Sequence, residues 1–170
     1  MQTYDQFFNQ WNNKPCEVSD PTNKEQCMDL AFAWCDAREI PRIAIAHLYA
    51  YQVYSVPTED TYLHFYRIPN TPRMIPKVGD LIVWTYAFNN SAGHIGVVHH
   101  TPAPNLNKVT VFQQNDPIYS DCHLKEYNYT NVAGFLRPMN LSIVTNDCQQ
   151  YIEQINQLQG KINCVKNCVA

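Results

Sequence analysis

Gln26-Cys27-Met28-Asp29-Leu30-Ala31-Phe32-Ala33-Trp34-Cys35 is the stretch that decides the fold. Cys27, Leu30, Ala31, Trp34 and Cys35 fall at i, i+3, i+4, i+7 and i+8, the stripe of a helix that buries one face. A polar, turn-rich run from Asn12 to Lys24 precedes it. Thr22 is followed three residues on by Glu25 and Asn23 by Gln26, so either offers a capping box. Cys27 is therefore expected within about two turns of the positive helix end, where backbone N–H groups favour an anion.

Working outward, Phe7, Phe8 and Trp11 lie about one helical turn apart and predict a short helix packed on the body of the domain. Residues 43–66 are rich in Ala, Tyr and His, with helical spacing up to about Val53 and little order afterwards. From Pro76 the texture changes. Leu81–Tyr86, His94–His99, Val109–Gln113 and Val132–Arg137 are short runs of branched and aromatic residues, which reads as an antiparallel meander. Gly79-Asp80, Asn89-Asn90-Ser91 and Asn105-Leu106-Asn107 supply the turns between them. Helices first and an antiparallel sheet afterwards define an α+β domain over residues 1–138. Residues 139–170 are expected to form a helical C-terminal appendage. Within it Ile152, Ile155, Leu158, Ile162 and Val165 make an amphipathic helix or helical pair, with Gly160 as the divider. Docking back on the domain is favoured over self-association or wall contact through 146–170, and the protein is expected to be a monomer.

Composition narrows the function classes. Hydrophobic residues at 45%, charged residues at 16% and a mean hydropathy of -0.37 are globular values, and no long apolar run suggests a membrane span. The start MQTYDQFFNQWNNK lacks the basic and apolar regions of a secretory signal peptide. With a net charge of -3 and no Lys/Arg cluster interleaved with aromatics, nucleic acid is not an expected partner. Seven cysteines, at 16, 27, 35, 122, 148, 164 and 168, leave at least one thiol free if the others pair within the chain. Burial of several as small hydrophobes in a reduced compartment fits composition equally well.

A cysteine on the first core helix and a histidine opening a strand can meet across the helix–sheet interface, as nucleophilic cysteine catalysis requires. The thiolate is the reactive form, and a neighbouring imidazolium with the helix dipole lowers the thiol pKa. His94 lies in Ala92-Gly93-His94-Ile95-Gly96-Val97-Val98, whose glycines let backbone or substrate approach closely. On spacing alone, a core cysteine and a surface histidine remain the commoner meaning of such a pair.

The chain resembles CHAP domains, the cysteine, histidine-dependent amidohydrolase/peptidase family, over most of residues 4–138. The resemblance is carried in order by Gln26–Leu30, Pro76–Trp84, Gly93–Val98 and Phe112-Gln113-Gln114-Asn115, and Asn128–Pro138 is similar to the closing strand of these domains in phage endolysins and tail-associated lysins. It implies a papain-like fold in which Cys27 attacks an amide carbonyl of peptidoglycan, His94 acts as general base and acid, and the Cys27 backbone N–H serves as oxyanion donor. Either an N-acetylmuramoyl-L-alanine amidase or a peptidoglycan endopeptidase fits. Many relatives carry an acidic residue where Gln113 stands. A neutral amide can still orient the histidine but stabilises imidazolium less, so Gln113 is the expected orienter, with Asn115 as substitute and no role for Gln114. The candidate substrate-binding residues are Gln26, Trp84, Tyr86 and Tyr119; Trp34 and Phe88 are further aromatics of this kind.

No organic cofactor is implied. Some CHAP domains bind calcium in the loop before Gln-Cys, but Glu17, Asp20 and Asp29 are sparse for an ion that takes 6–8 oxygens, so calcium is not favoured. Cys122-His123, His99-His100 and the Cys164/Cys168 pair lack the paired Cys-x-x-Cys frame of a zinc site. The expected setting is host cytoplasm before release by a holin, or the virion, with action on the bacterial wall; an injected interbacterial amidase fits as well. The rival readings are a catalytically silent wall-binding or virion structural module and, more distantly, an intracellular cysteine hydrolase.

Overall fold

The computed structural model describes residues 1–19, 26–43, 49–86, 91–101 and 107–139. A compact unit spans Met1–Pro138. Its helices are α1 (Tyr4–Trp11), α2 (Cys27–Ala37), α3 (Gln52–Ser55) and α4 (Glu59–His64). Its strands are β1 (Phe65–Pro69), β2 (Leu81–Trp84), β3 (His94–His100), β4 (Lys108–Gln113), β5 (His123–Asn128) and β6 (Val132–Pro138). The appendage expected over 139–170 lies outside the described residues apart from Met139, as do Phe88, the Asn89-Asn90 turn and residues 44–48 of the helix expected to reach about Val53.

Helix α1 forms where Phe7, Phe8 and Trp11 predict it. Thr3 and Gln6 close a capping box, with the Gln6 N–H donating to Thr3 Oγ1 at 3.3 Å and the Thr3 N–H to Gln6 Oε1 at 2.9 Å. The buried Phe7 ring packs on Trp34 at 4.8 Å and Phe112 at 6.0 Å, joining α1 to both α2 and the sheet.

Helix α2 corrects the expected start. It begins at Cys27 with Gln26 as N-cap, and no side chain caps it; Thr22 and Asn23 lie outside the described residues. The reason is tertiary. Gln26 is extended (φ -75°, ψ 143°) and its carbonyl accepts from Gln114 Nε2 at 3.0 Å, so a distant amide, rather than a local cap residue, fixes the chain where the helix starts.

The six strands form one antiparallel sheet in the order β1-β6-β2-β3-β4-β5. The expected meander holds from β2 to β5. It fails at the end of the chain, because β6 returns to pair with β2 and β1 extends the sheet beyond β6. Strands β1 and β5 and helix α4 are elements that sequence reading missed. All four residues of β2 are buried, as a central strand requires. Ile82, Trp84, Val98, Val109, Val111, Tyr127, Val132 and Phe135 form one core cluster, while Phe112 meets the aromatic rings of α1. The loop before β2 is pinned by a two-bond ion pair, Arg137 Nε to Asp80 Oδ1 and Arg137 Nη2 to Asp80 Oδ2, each 2.8 Å.

Candidate active site

Cys27 is the first residue of α2, so its sulfur sits among helical N–H groups that lack intrahelical partners. Helix α2 packs on β3, and the backbone amides of Ile95, Cys27 and Met28 favour the thiolate. Burial outweighs them and pushes the thiol up to about 11, with Asp29 adding to the rise. Cys27 nevertheless keeps partial solvent exposure, which a nucleophile needs.

His94 opens β3 at 3% exposure. Gly93 places it: at φ +74°, a Cβ there would meet the Trp84 carbonyl oxygen at 2.2 Å. At Gly96 an added Cβ would meet Val111 Cγ1 at 2.5 Å. Both glycines thus admit neighbouring protein atoms, the Trp84 backbone at Gly93 being the close approach of backbone expected of them. The imidazole packs against both Trp84 and Tyr127, with ring centroids at 5.7 and 6.3 Å, and those two rings touch each other at 5.0 Å. Desolvation lowers its pKa to about 4, against raising contributions from Asp116 and from the hydrogen bond of Gln113.

Gln113, fully buried at the end of β4, uses its whole amide. Its Nε2 donates to the Asp116 carbonyl at 2.9 Å, which fixes the amide orientation and leaves Oε1, 3.1 Å from His94 Nε2, as acceptor. His94 Nε2 therefore carries the ring proton, and Nδ1 is the basic nitrogen. The Gln113 amide nitrogen also lies 2.9 Å from His123 Nε2 and 3.5 Å from its Nδ1, against the face of that ring. Behind this layer Asp116 Oδ2 accepts from Lys125 Nζ at 2.8 Å and Tyr127 Oη at 2.7 Å, which holds its carboxyl below the usual range despite burial.

The other expected site residues divide. Asn115 lies in the turn after β4 at φ +71°, and its Oδ1 accepts the Tyr119 N–H at 2.8 Å. It is a turn residue, correcting its assignment as a substitute orienter. Trp84 is 2% exposed, so it walls the imidazole and offers no stacking surface to a substrate. Trp34 is likewise buried and donates to the Gly79 carbonyl at 2.8 Å. Tyr86 and Tyr119 are 47% and 72% exposed and open to solvent, while Gln26 is half-buried beside Cys27.

Gln114, given no role in the sequence, is fully buried and satisfied on every side. Its Oε1 accepts from the Cys16 N–H at 2.7 Å and the Cys122 thiol at 3.1 Å, and its Nε2 donates to the carbonyls of Cys16 at 2.9 Å and Gln26 at 3.0 Å. His123 was visible in the sequence only as a poor zinc candidate. Nothing in a single sequence signals either role, since both depend on the register that sets Gln113 opposite His123 and on a contact 88 residues apart.

Cys16, Cys27, Cys35 and Cys122 are all free thiols, and Cys148, Cys164 and Cys168 lie outside the described residues. Among the described residues no group of three or more His, Cys, Asp or Glu could hold a metal ion. Asp29 is buried with Oδ1 accepting from the Ser19 N–H at 3.0 Å and from its hydroxyl, and Oδ2 has no partner among these residues. One such oxygen falls well short of a calcium shell; Asp20 lies outside the described residues.

A thiol at the head of the core helix, set beside an antiparallel sheet that carries a buried, oriented imidazole, is the arrangement of the papain-like α+β class. The chain belongs to the CHAP domain family, whose model matches residues 18–115. It is 36% identical over 75 residues to endolysin PlyTW of Staphylococcus phage Twort, a match covering 41% of this chain and 16% of that protein. Among solved structures it is similar to the wild-type endolysin LysIME-EF1, with a TM-score of 0.60 and 21% identity, covering 81% of this chain and 65% of that one. Ly7917, also solved with the hydrolyzing product of MDP, gives a TM-score of 0.58 at 11% identity over 81% of this chain and 63% of its own. The chain thus spans a sixth of its curated relative and less than two thirds of these solved chains.

Proposed function

We propose that this domain is a peptidoglycan hydrolase of a phage lysin, cleaving an amide bond by covalent catalysis at Cys27. The carrying observation is the oriented amide of Gln113, which leaves His94 Nδ1 as the basic ring nitrogen beside the helix that Cys27 opens. The thiol is pushed up and the imidazole down, so the resting pair is neutral at pH 7. His94 takes the thiol proton as Cys27 attacks the carbonyl, rather than storing it beforehand in an ion pair. The Cys27 backbone N–H, at the helix start, steadies the oxyanion. His94 returns the proton to the leaving amine, and water attacks the thioester with the same base to release the acid.

The scissile bond is that between N-acetylmuramic acid and L-alanine or one within the stem or cross-bridge peptides, with Gln26, Tyr86 and Tyr119 as the proposed contacts to it. The enzyme acts on the wall as a monomer without an organic cofactor or added calcium, after holin-dependent release or from the virion. Turbidity loss and released amines on purified walls from several bacteria, with and without calcium, test this against Cys27→Ala and His94→Ala. Wild-type activity lost in both variants supports the mechanism, and mass spectrometry of the fragments names the bond. Wall binding without turnover would identify a silent module, the reading that Gln113 in an acidic residue's place would favour.

A further inference from the structure

Cys16 follows α1 and Cys122 comes just before β5, yet the fold sets them side by side as free, fully buried thiols. Two backbone hydrogen bonds hold their segments together: the Asn13 N–H donates to the Cys122 carbonyl at 2.8 Å, and the Cys122 N–H to the Lys14 carbonyl at 3.0 Å. Both cysteines also share one oxygen. Gln114 Oε1 accepts from the Cys16 N–H at 2.7 Å and from the Cys122 thiol at 3.1 Å. The Cys16 thiol in turn hydrogen-bonds to the Cys122 side chain, and that bond, with burial, pushes its pKa well up. Sulfurs in such contact, on backbones already pinned together, are a small side-chain rotation from the roughly 2.05 Å of a disulfide. Space-filling alone would ask for neither a shared acceptor nor sulfur contact.

We propose that Cys16 and Cys122 are a site of oxidative modification, closing to a disulfide in oxidising surroundings and tying the segment after α1 to the turn before β5. The oxidant is a low-molecular-weight disulfide such as glutathione disulfide. One cysteine, as thiolate, attacks a glutathione sulfur, forming a mixed disulfide and releasing one glutathione. The other cysteine then attacks the protein sulfur of that bond and displaces the second glutathione. Two electrons pass from the cysteines to glutathione disulfide, and the two thiol protons end on the two glutathione molecules. Because both thiols are buried, exchange proceeds while the segment is open, and the closed bridge is sheltered from reductant. The bridge does not dismantle its surroundings. Gln114 Oε1 loses the thiol donor but keeps the Cys16 N–H, while Nε2 keeps the carbonyls of Cys16 and Gln26. The amide that fixes the start of α2 therefore stays in place, and oxidation stabilises the fold.

The full chain is equilibrated with glutathione disulfide below its thermal midpoint until the number of free thiols is constant. Remaining thiols are then blocked with N-ethylmaleimide in denaturant, and the digest is mapped by mass spectrometry before and after reduction. A peptide joining Cys16 to Cys122 should accumulate, with Cys27 recovered as the blocked thiol. A bridge across so long a stretch of chain should raise Tm by at least about 5 °C, and dithiothreitol should reverse the rise. Cys122→Ser, whose hydroxyl can still donate to Gln114, should give neither the joined peptide nor a glutathione-dependent shift tied to it. Should that variant fail to fold, wild type before and after dithiothreitol supplies the same comparison. Cys16 and Cys122 recovered separately blocked at equilibrium, either one joined to a different cysteine, or a joined peptide with Tm unchanged or lowered would each overturn the inference. None of these readouts uses wall lysis, so the outcome is independent of the catalytic role proposed for Cys27.

Discussion

Acidification from pH 7 to pH 4 should destabilise the domain chiefly by forcing a charge onto His94. The imidazole is 3% exposed, and burial lowers its pKa from 6.5 to about 4. Between those values the unfolded chain binds a proton that the native state refuses, so stability is fully present above about pH 6.5 and falls as pH drops towards 4. At 1.36 kcal/mol per unit, the loss reaches about 3 kcal/mol, a large share of the roughly 5–15 kcal/mol that holds a domain together. His99, also lowered by desolvation, adds in the same direction. Asp116, whose pKa is depressed by Lys125 and Tyr127, contributes only further down, below the ordinary carboxylate range. Urea unfolding at half-unit steps from pH 7.5 to 4 measures the slope, and His94→Gln isolates the part that belongs to this ring. The variant should lose most of the dependence between pH 6.5 and 4. Parallel curves for wild type and variant would refute the claim that His94 is held neutral by burial.

Iodoacetamide labelling followed by peptide mapping should find Cys27 slow at pH 7 and about tenfold faster per pH unit up to pH 10, because its thiol is pushed up to about 11; rapid labelling at pH 7 would mean a preformed ion pair. Gly93→Ala must displace the Trp84 carbonyl and strain a positive φ, so lysis should fall by at least about tenfold, and an active variant would show that His94 tolerates a shifted strand start. Asp80→Ala strands the partly buried Arg137 and should cost about 3 kcal/mol by chemical denaturation, with a cost under about 1 kcal/mol placing the pair among ordinary surface contacts.

How far the sequence could be read follows from which elements announce themselves locally. Strands β2, β3, β4 and β6 are rich in branched and aromatic residues because they are central or half-covered, and their runs were legible. Strand β5, His123-Leu124-Lys125-Glu126-Tyr127-Asn128, lies at a sheet edge and buries only Tyr127, with its other apolar residue, Leu124, exposed, so it carries little apolar core signal. Strand β1 has the same difficulty at the other edge, where it buries Phe65 and ends in Pro69. The return of β6 beside β2 is a long-range pairing that no window of sequence contains.

The candidate site shows the same division at the scale of two adjacent residues. Gln113 could be picked out because the family pattern places an orienter there, whereas Gln114 looked like its idle neighbour. Successive side chains at a strand end project to opposite sides, and here the two amides reach different partners. Gln113 faces the imidazole of His94, and Gln114 reaches the carbonyl of Gln26 immediately before Cys27. The end of β4 thus sets both the histidine's tautomer and the point where the nucleophile's helix begins. An amide suits both tasks, since each must accept on one edge and donate on the other. A carboxylate at position 113 would orient His94 and stabilise its cation, yet it would set acceptor against acceptor at the Asp116 carbonyl. Glutamine in the acidic residue's place is therefore matched to its neighbours, and Gln113→Glu alone should not improve the site.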